Sequence, residues 1–260
     1  GQRRAGRGGG VAKVVLAICS HCENRGSEAN ETEEEARRRR FQGSMNEHDT
    51  NAPAQPPQQE DTRSSRESLV EAAAILFHED GYQKTSLNRV LREAGVVRSN
   101  FYYHFKSKEE LAIAVIDTWL DELTFNVIGP ALADESLTPL QRVRRILEGL
   151  VEELECGGCR GGCPFGSLAN AEAEHNERFR QKLEEAFDGF AQLLEQLLAK
   201  SAAEGELSAQ LSPARLAACT LAVVQGSYLL TKAYAGTTPM RQAVEGLLEA
   251  LDASSSKNAM

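Results

Sequence analysis

Two serines, each followed three residues later by a glutamate, constrain this chain more than any other feature: Ser64 with Glu67, and Ser107 with Glu110. Each pair is a capping box, in which the hydroxyl accepts from the backbone N–H three residues on and the carboxylate reaches back to the serine N–H, so a helix starts at both places. After the first box Leu69, Ala73, Leu76 and Phe77 recur at helical spacing until Gly81 ends the pattern. Thr85 is expected to cap a second helix with the apolar stripe Leu87, Val90, Leu91 and Ala94. Gly95 supplies a turn toward a third helix from about Val97 to Phe105. The second box then opens a fourth helix that carries Leu111, Val115 and Trp119 to the Gly129-Pro130 break. Two short helices joined by a glycine turn, braced by a first and followed by a long connector, have the build of a helix-turn-helix head.

Binding to phosphate needs cations on the face that meets the duplex. Between Lys84 and Lys108 there are six (Lys84, Arg89, Arg92, Arg98, Lys106, Lys108) against one acid, Glu93. The third helix adds Ser99, Asn100, Tyr102, Tyr103 and His104, whose polar groups can bond phosphates and base edges. Arg98, early in that helix, can reach guanine O6 and N7 in the major groove and is the best single candidate for base reading. Phe101 and Phe105 read as core. Residues 61–110 carry eight acids and eight bases, whereas residues 111–260 carry 21 acids and 12 bases, so nucleic-acid binding must concentrate at the head.

The segment from about Ser64 to Leu111 resembles the DNA-binding domain of the TetR family of bacterial transcriptional regulators. The resemblance is carried by Ala94-Gly95-Val96 and by the run from Phe101 through Lys106, Ser107 and Lys108 to Leu111, with Phe77, Gly81, Tyr82, Thr85 and Leu87 before it. It implies a homodimeric, all-helical repressor whose C-terminal domain binds a small molecule and thereby releases a double-stranded DNA operator. It also implies phosphate contacts at Thr85 and Tyr103, groove contacts at Arg98, Ser99, Asn100 and Tyr102, and a backbone contact at Lys108. Val97 departs from the pattern, since many members have a small polar residue there, and this weakens the cap of the third helix.

With 260 residues, 41% hydrophobic and 26% charged, the chain has room for such a head and a larger helical body, about nine helices in all. The expected division is a leader over 1–62, the head over 63–110, an effector-binding and dimerisation domain over 111–252, and a disordered tail over 253–260. Thr138-Pro139, Ser212-Pro213 and Thr238-Pro239 each read as a cap followed by the first helical residue. A further long helix runs from about Asn176 to Ala203, and no segment shows strand periodicity. The helix from Pro213 to Tyr234 is apolar nearly all round, so one core face cannot account for it. In the family the last two helices pair with their copies in a four-helix bundle, which would set two heads on half-sites roughly 34 to 36 Å apart.

Candidate walls of an effector pocket are Trp119, Phe125, Leu147, Leu150, Phe165, Phe179, Phe187 and Tyr228, each of a type that also fills ordinary cores. A second distinctive stretch is the glycine-rich loop holding Cys156, Cys159 and Cys163. Its simplest reading is a structural loop; with His175 it could also act as a thiol redox or metal-responsive switch, although closed zinc sites show two paired ligand clusters. No catalytic residues and no cofactor are expected: neither a paired carboxylate, a nucleophile-base pair nor a phosphate loop is legible. Cys219 reads as a small buried apolar residue.

The leader mixes an arginine-rich start, an acidic run, four arginines at 37–40 and a Pro-Gln tract, a composition expected to be disordered. Its apolar stretch from Val11 to Cys19 is short and lacks a small-residue cleavage site, so the expectation is a cytoplasmic protein with no membrane partner. The change of composition near Met45 suggests that natural translation starts there. Peptides from before Met45 in mass spectra of the native protein would rule that out.

Overall fold

The structure, a computed structural model, describes residues 64–156 and 162–254, and every regular element within them is helical. The expected leader, Cys159 and most of the C-terminal tail lie outside the described residues. The head contains α1 (Ser65–Glu79), α2 (Leu87–Glu93) and α3 (Arg98–His104). The body contains α4 (Lys108–Leu123), α5 (Gly129–Ala133), α6 (Pro139–Cys156), α7 (Pro164–Glu172), α8 (Glu177–Ala203), α9 (Pro213–Tyr234) and α10 (Thr238–Ala253).

Both serines start helices, but only the first closes the full box. Ser64 accepts from Glu67 N while Glu67 returns a carboxylate oxygen to Ser64 N, whereas Ser107 accepts from Glu110 N and the Glu110 carboxylate accepts from Lys106 N instead. Asn176 caps α8 by accepting from the N–H groups of Arg178 and Phe179, Ser212 caps α9, and Thr138 with Gln141 closes a glutamine version of the box at α6. Val97 makes no side-chain cap, as expected of a valine. Gly95 turns the chain from α2 into α3 at φ +63°, a backbone region that a Cβ disfavours.

Four local expectations change. Ser86, not Thr85, caps α2: its hydroxyl accepts from Arg89 N, while Thr85 turns inward. The chain does not break at Gly129-Pro130 but runs on from α4 through one π-helical turn, Thr124–Ile128, into α5. Proline lacks the N–H that an α-helical bond to Asn126 would need, and the wider turn absorbs that loss. The passage requires glycine, because a Cβ at 129 would lie 2.9 Å from the Thr124 carbonyl oxygen. The tail of the cysteine loop is helical as α7, capped by the Cys163 thiol, which accepts from Gly166 N. Thr238 lies inside α10, whose cap position is Thr237 and has no side-chain bond.

Two apolar clusters hold the molecule together. One runs from the head, through Leu69, Phe77, Phe101 and Phe105, along α4 and into Phe165, Leu168, Phe179 and Leu183. The other is built on α6, α8, α9 and α10, from Val143 and Leu147 to Leu198 and Leu248. The first cluster therefore crosses the sequence boundary at 110, so head and body share packing. On α9 the buried stripe is Ala217, Thr220, Val224, Ser227 and Thr231, whereas Leu229, Leu230 and Tyr234 are exposed. Cys219 is also exposed, contrary to its expected burial, because it sits off that stripe.

Candidate nucleic-acid interface and effector cavity

The tip of the head is set by Phe101. Its ring is fully buried and meets Tyr102 edge-on at 5.2 Å and Phe105 at 5.9 Å, which turns the other side of α3 outward. Arg98, Ser99, Asn100, Tyr102 and Tyr103 are exposed there, Tyr103 at 84%, and His104 is half-buried with its ring against that of Tyr103. The Arg98 guanidinium donates to Asn88 Oδ1 at 2.5 Å, tying the start of α3 to α2. Lys84 is exposed in the turn before α2.

Two of the expected contact residues are employed elsewhere. Thr85 is fully buried, and its hydroxyl lies 3.2 Å from the Leu76 carbonyl oxygen and 2.9 Å from that of Gly81, so it ties α1 to the following turn and does not face a phosphate. Lys108 is half-buried: its Nζ donates to the Tyr82 carbonyl at 2.5 Å and lies 3.9 Å from the centre of the Tyr82 ring. Burial lowers the pKa of its ammonium, and Glu172 opposes that shift. Lys108 thus braces the start of α4 against the turn after α1.

The body, with His78 of α1, forms a mostly apolar, partly open cavity of about 150 Å³. Of the eight sequence candidates, Trp119, Leu150, Phe165, Phe187 and Tyr228 line it. The other three do not: Phe125 is 52% exposed on the π-helical turn, Leu147 is fully buried in the second cluster, and Phe179 stacks edge-on against Tyr82 at 5.2 Å. Sequence reasoning missed the polar lining, His78, Glu122, Glu153, Cys163 and Gln225. Only helical phase could have found it, since Glu122 follows Trp119 by three residues, a little under one turn, and Glu153 follows Leu150 in the same way.

Those polar groups are held in unusual states. Burial, with help from Glu153, Glu71 and Asp121, pushes the Glu122 carboxyl up to about 8, and its Oε1 has no hydrogen-bond partner. Burial also raises Glu153, and the nearby Asn126 amide opposes that shift. His78 on α1 places Nε2 3.0 Å from the Gly162 carbonyl, and burial lowers its pKa, so the ring is neutral and that nitrogen donates. The Cys163 thiol is buried and pushed up by desolvation, the opposite of what a reactive thiolate needs. Cys156 is exposed at the end of α6. Among the described residues no group of three or more His, Cys, Asp and Glu side chains is placed to hold a metal ion.

Polar contacts link this body to the head. His78 belongs at once to α1 and to the cavity wall; Gln83 Nε2 donates to Glu172 Oε1 at 2.5 Å; and Glu109, on the first turn of α4, accepts from Asn176 and Arg178 at the start of α8. A change in the cavity therefore has short routes to the elements that carry α3.

Comparison with known proteins agrees with this geometry. Residues 69–115 match the profile described as bacterial regulatory proteins, tetR family, and residues 139–247 match the tetracyclin repressor-like C-terminal domain. An uncharacterised HTH-type transcriptional regulator from the lacX 3' region of Lactococcus lactis subsp. lactis is 33% identical over 171 residues, covering 65% of this chain and 84% of that protein. The HTH-type transcriptional repressor DhaR of Mycobacterium sp. (strain GP1) is 26% identical, covering 72% of this chain and 91% of its own length. The crystal structure of regulatory protein TetR from Rhodobacter sphaeroides superposes with a TM-score of 0.66 at 26% identity, covering 71% of this chain and 97% of that one.

Proposed function

Since this chain belongs to the TetR family and is a DNA-binding transcriptional regulator, we propose that it works as a homodimeric cytoplasmic repressor that a small molecule releases from its operator. The observation that carries the reading is the pairing of two sites in one chain: an exposed polar and cationic α3, and a partly open apolar cavity whose wall includes His78 of the head. A cavity of this kind suits a small ligand rather than a macromolecule.

Dimerisation is supported by α9. It is long and apolar enough to cross a bilayer by length and composition, yet it packs its small and hydroxylic stripe on its neighbours and leaves Leu229, Leu230 and Tyr234 exposed. A second copy related by a twofold axis would cover that face and fix the separation of the two heads. Effector binding then favours a body arrangement in which α1 and α4 hold the heads at a different spacing, so ligand and operator oppose each other by linkage.

Arg98→Ala tests the reading. With operators selected from fragments of the source genome, the substitution should cost about 1 to 3 kcal/mol at the cognate site and much less on bulk DNA. Fluorescence anisotropy against both DNAs at fixed salt measures the difference, and sedimentation of the complex should give two chains per operator. Equal loss on every sequence would remove the base-reading role, and a monomeric complex would remove the symmetric repressor.

A further inference from the structure

The cavity's polar lining is one-sided. Glu122 is 5% exposed, faces the cavity and leaves Oε1 without a partner, and Glu153 joins it from α6. Among the described residues the charged groups acting on Glu122 are acidic: Glu153 from α6, Glu71 from α1 and Asp121 from its own helix. Among the described residues no lysine or arginine lines the cavity, and Lys232 acts on His78. The other polar groups are largely used up within the protein, since His78 bonds the Gly162 carbonyl and Gln225 bonds the Cys163 thiol.

A buried carboxyl oxygen without a donor is costly unless something supplies one. Trp119, Phe165 and Phe187 add ring faces and edges around the same space, with Trp119 and Phe165 in edge contact at 5.9 Å. Such rings attract a cation and repel an anion at their faces. In size, an apolar cavity of about 150 Å³ accommodates a group close to benzene in bulk.

We infer that this cavity takes a small organic cation, a protonated amine on an apolar body of about one ring, with its ammonium donating to Glu122 and Glu153. The inference rests on the reading of the cavity as the effector site and adds the charge and size of what enters. An ammonium supplies the donor that Oε1 lacks and the positive charge that the acidic surroundings favour. A carboxylate ligand of the same size would bind only by keeping these acids protonated, with no cation among the described lining residues to receive it.

The test is calorimetry of the full chain with three probes of one shape and three charges, benzylamine, benzyl alcohol and benzoate, alongside operator anisotropy in the same solutions. Benzylamine should bind at least about tenfold tighter than the alcohol, with benzoate weakest. Glu122→Gln, which keeps the shape and presents an NH₂ donor, should weaken benzylamine by about 10- to 100-fold and move the alcohol far less. Glu153→Gln should act in the same direction, and thermal melting of both variants reads their folding separately. Benzoate or the alcohol binding as tightly as benzylamine, benzylamine indifferent to both substitutions, or no heat from benzylamine would each overturn the inference. Operator release by the alcohol or benzoate alone would sink the cation and keep the effector reading. Benzylamine bound through Glu122 with operator affinity unmoved would do the reverse.

Discussion

Phe101→Ala is expected to cost about 3 to 5 kcal/mol and to take operator binding with it, the largest effect of any single change considered for the head. The ring is fully buried and is the anchor by which α3 is attached, with Tyr102 and Phe105 packed on it. Seven residues with no side-chain cap at Val97 cannot hold a helix in water by themselves, so α3 is helical only where Phe101 fixes it. Because the same apolar cluster continues into Phe165 and Phe179, the loss should also lower the unfolding midpoint of the whole chain. Denaturant unfolding and operator anisotropy on one preparation check both statements. A variant with wild-type operator affinity would show that α3 is held by its flanking turns and not by its core ring.

The head was legible in the sequence because its elements are specified locally. A hydroxyl three residues before a glutamate, a glycine between two short helices and an apolar stripe at helical spacing are each decided within a few residues. The differences there are of one kind: the Thr85 side chain turns inward to backbone carbonyls and Lys108 gives a donor to the Tyr82 carbonyl, and nothing local tells a threonine that faces a carbonyl from one that faces a phosphate. Ser86 stood next to Thr85 with equal capping chemistry, and the packing of α1 against the turn decided between them.

The cavity was only half legible for a related reason. Large apolar residues at helical spacing give candidates, but which of them border empty space depends on the approach of α4, α6, α7, α8 and α9, a tertiary property. Phe179 and Leu147 found partners, whereas Phe165 and Phe187 bordered space. Glutamates read from sequence as surface residues, so the most consequential pair in the body was passed over. The π-helical turn was hidden in the same way, since Gly129-Pro130 has the local signature of a helix end, while the turn and α5 both pack against α6.

Glu122→Gln is expected to stabilise the chain, and the gain should grow with pH. The carboxyl is held up to about 8, first by burial and then by Glu153, so at neutral pH the folded protein keeps a proton there that the unfolded chain has lost. Where the folded state binds more protons than the unfolded one, stability falls as pH rises, by at most about 1.4 kcal/mol per pH unit for one group. The fall begins near pH 4.5, the ordinary value for a glutamate, and is complete above about 8. Glutamine cannot ionise, so the variant should match the wild type near pH 4.5 and exceed it by about 2 to 4 kcal/mol at pH 8. Glu153, raised by the same burial, leaves the variant a smaller slope of the same sign. Urea midpoints at pH 5, 6.5 and 8 measure the divergence. Parallel curves would mean that water reaches Oε1 and that the carboxylate carries its charge in the fold at no cost. Diverging curves would show that the protein sacrifices stability to keep an acid in an apolar chamber, a cost that only a ligand able to meet that acid would offset.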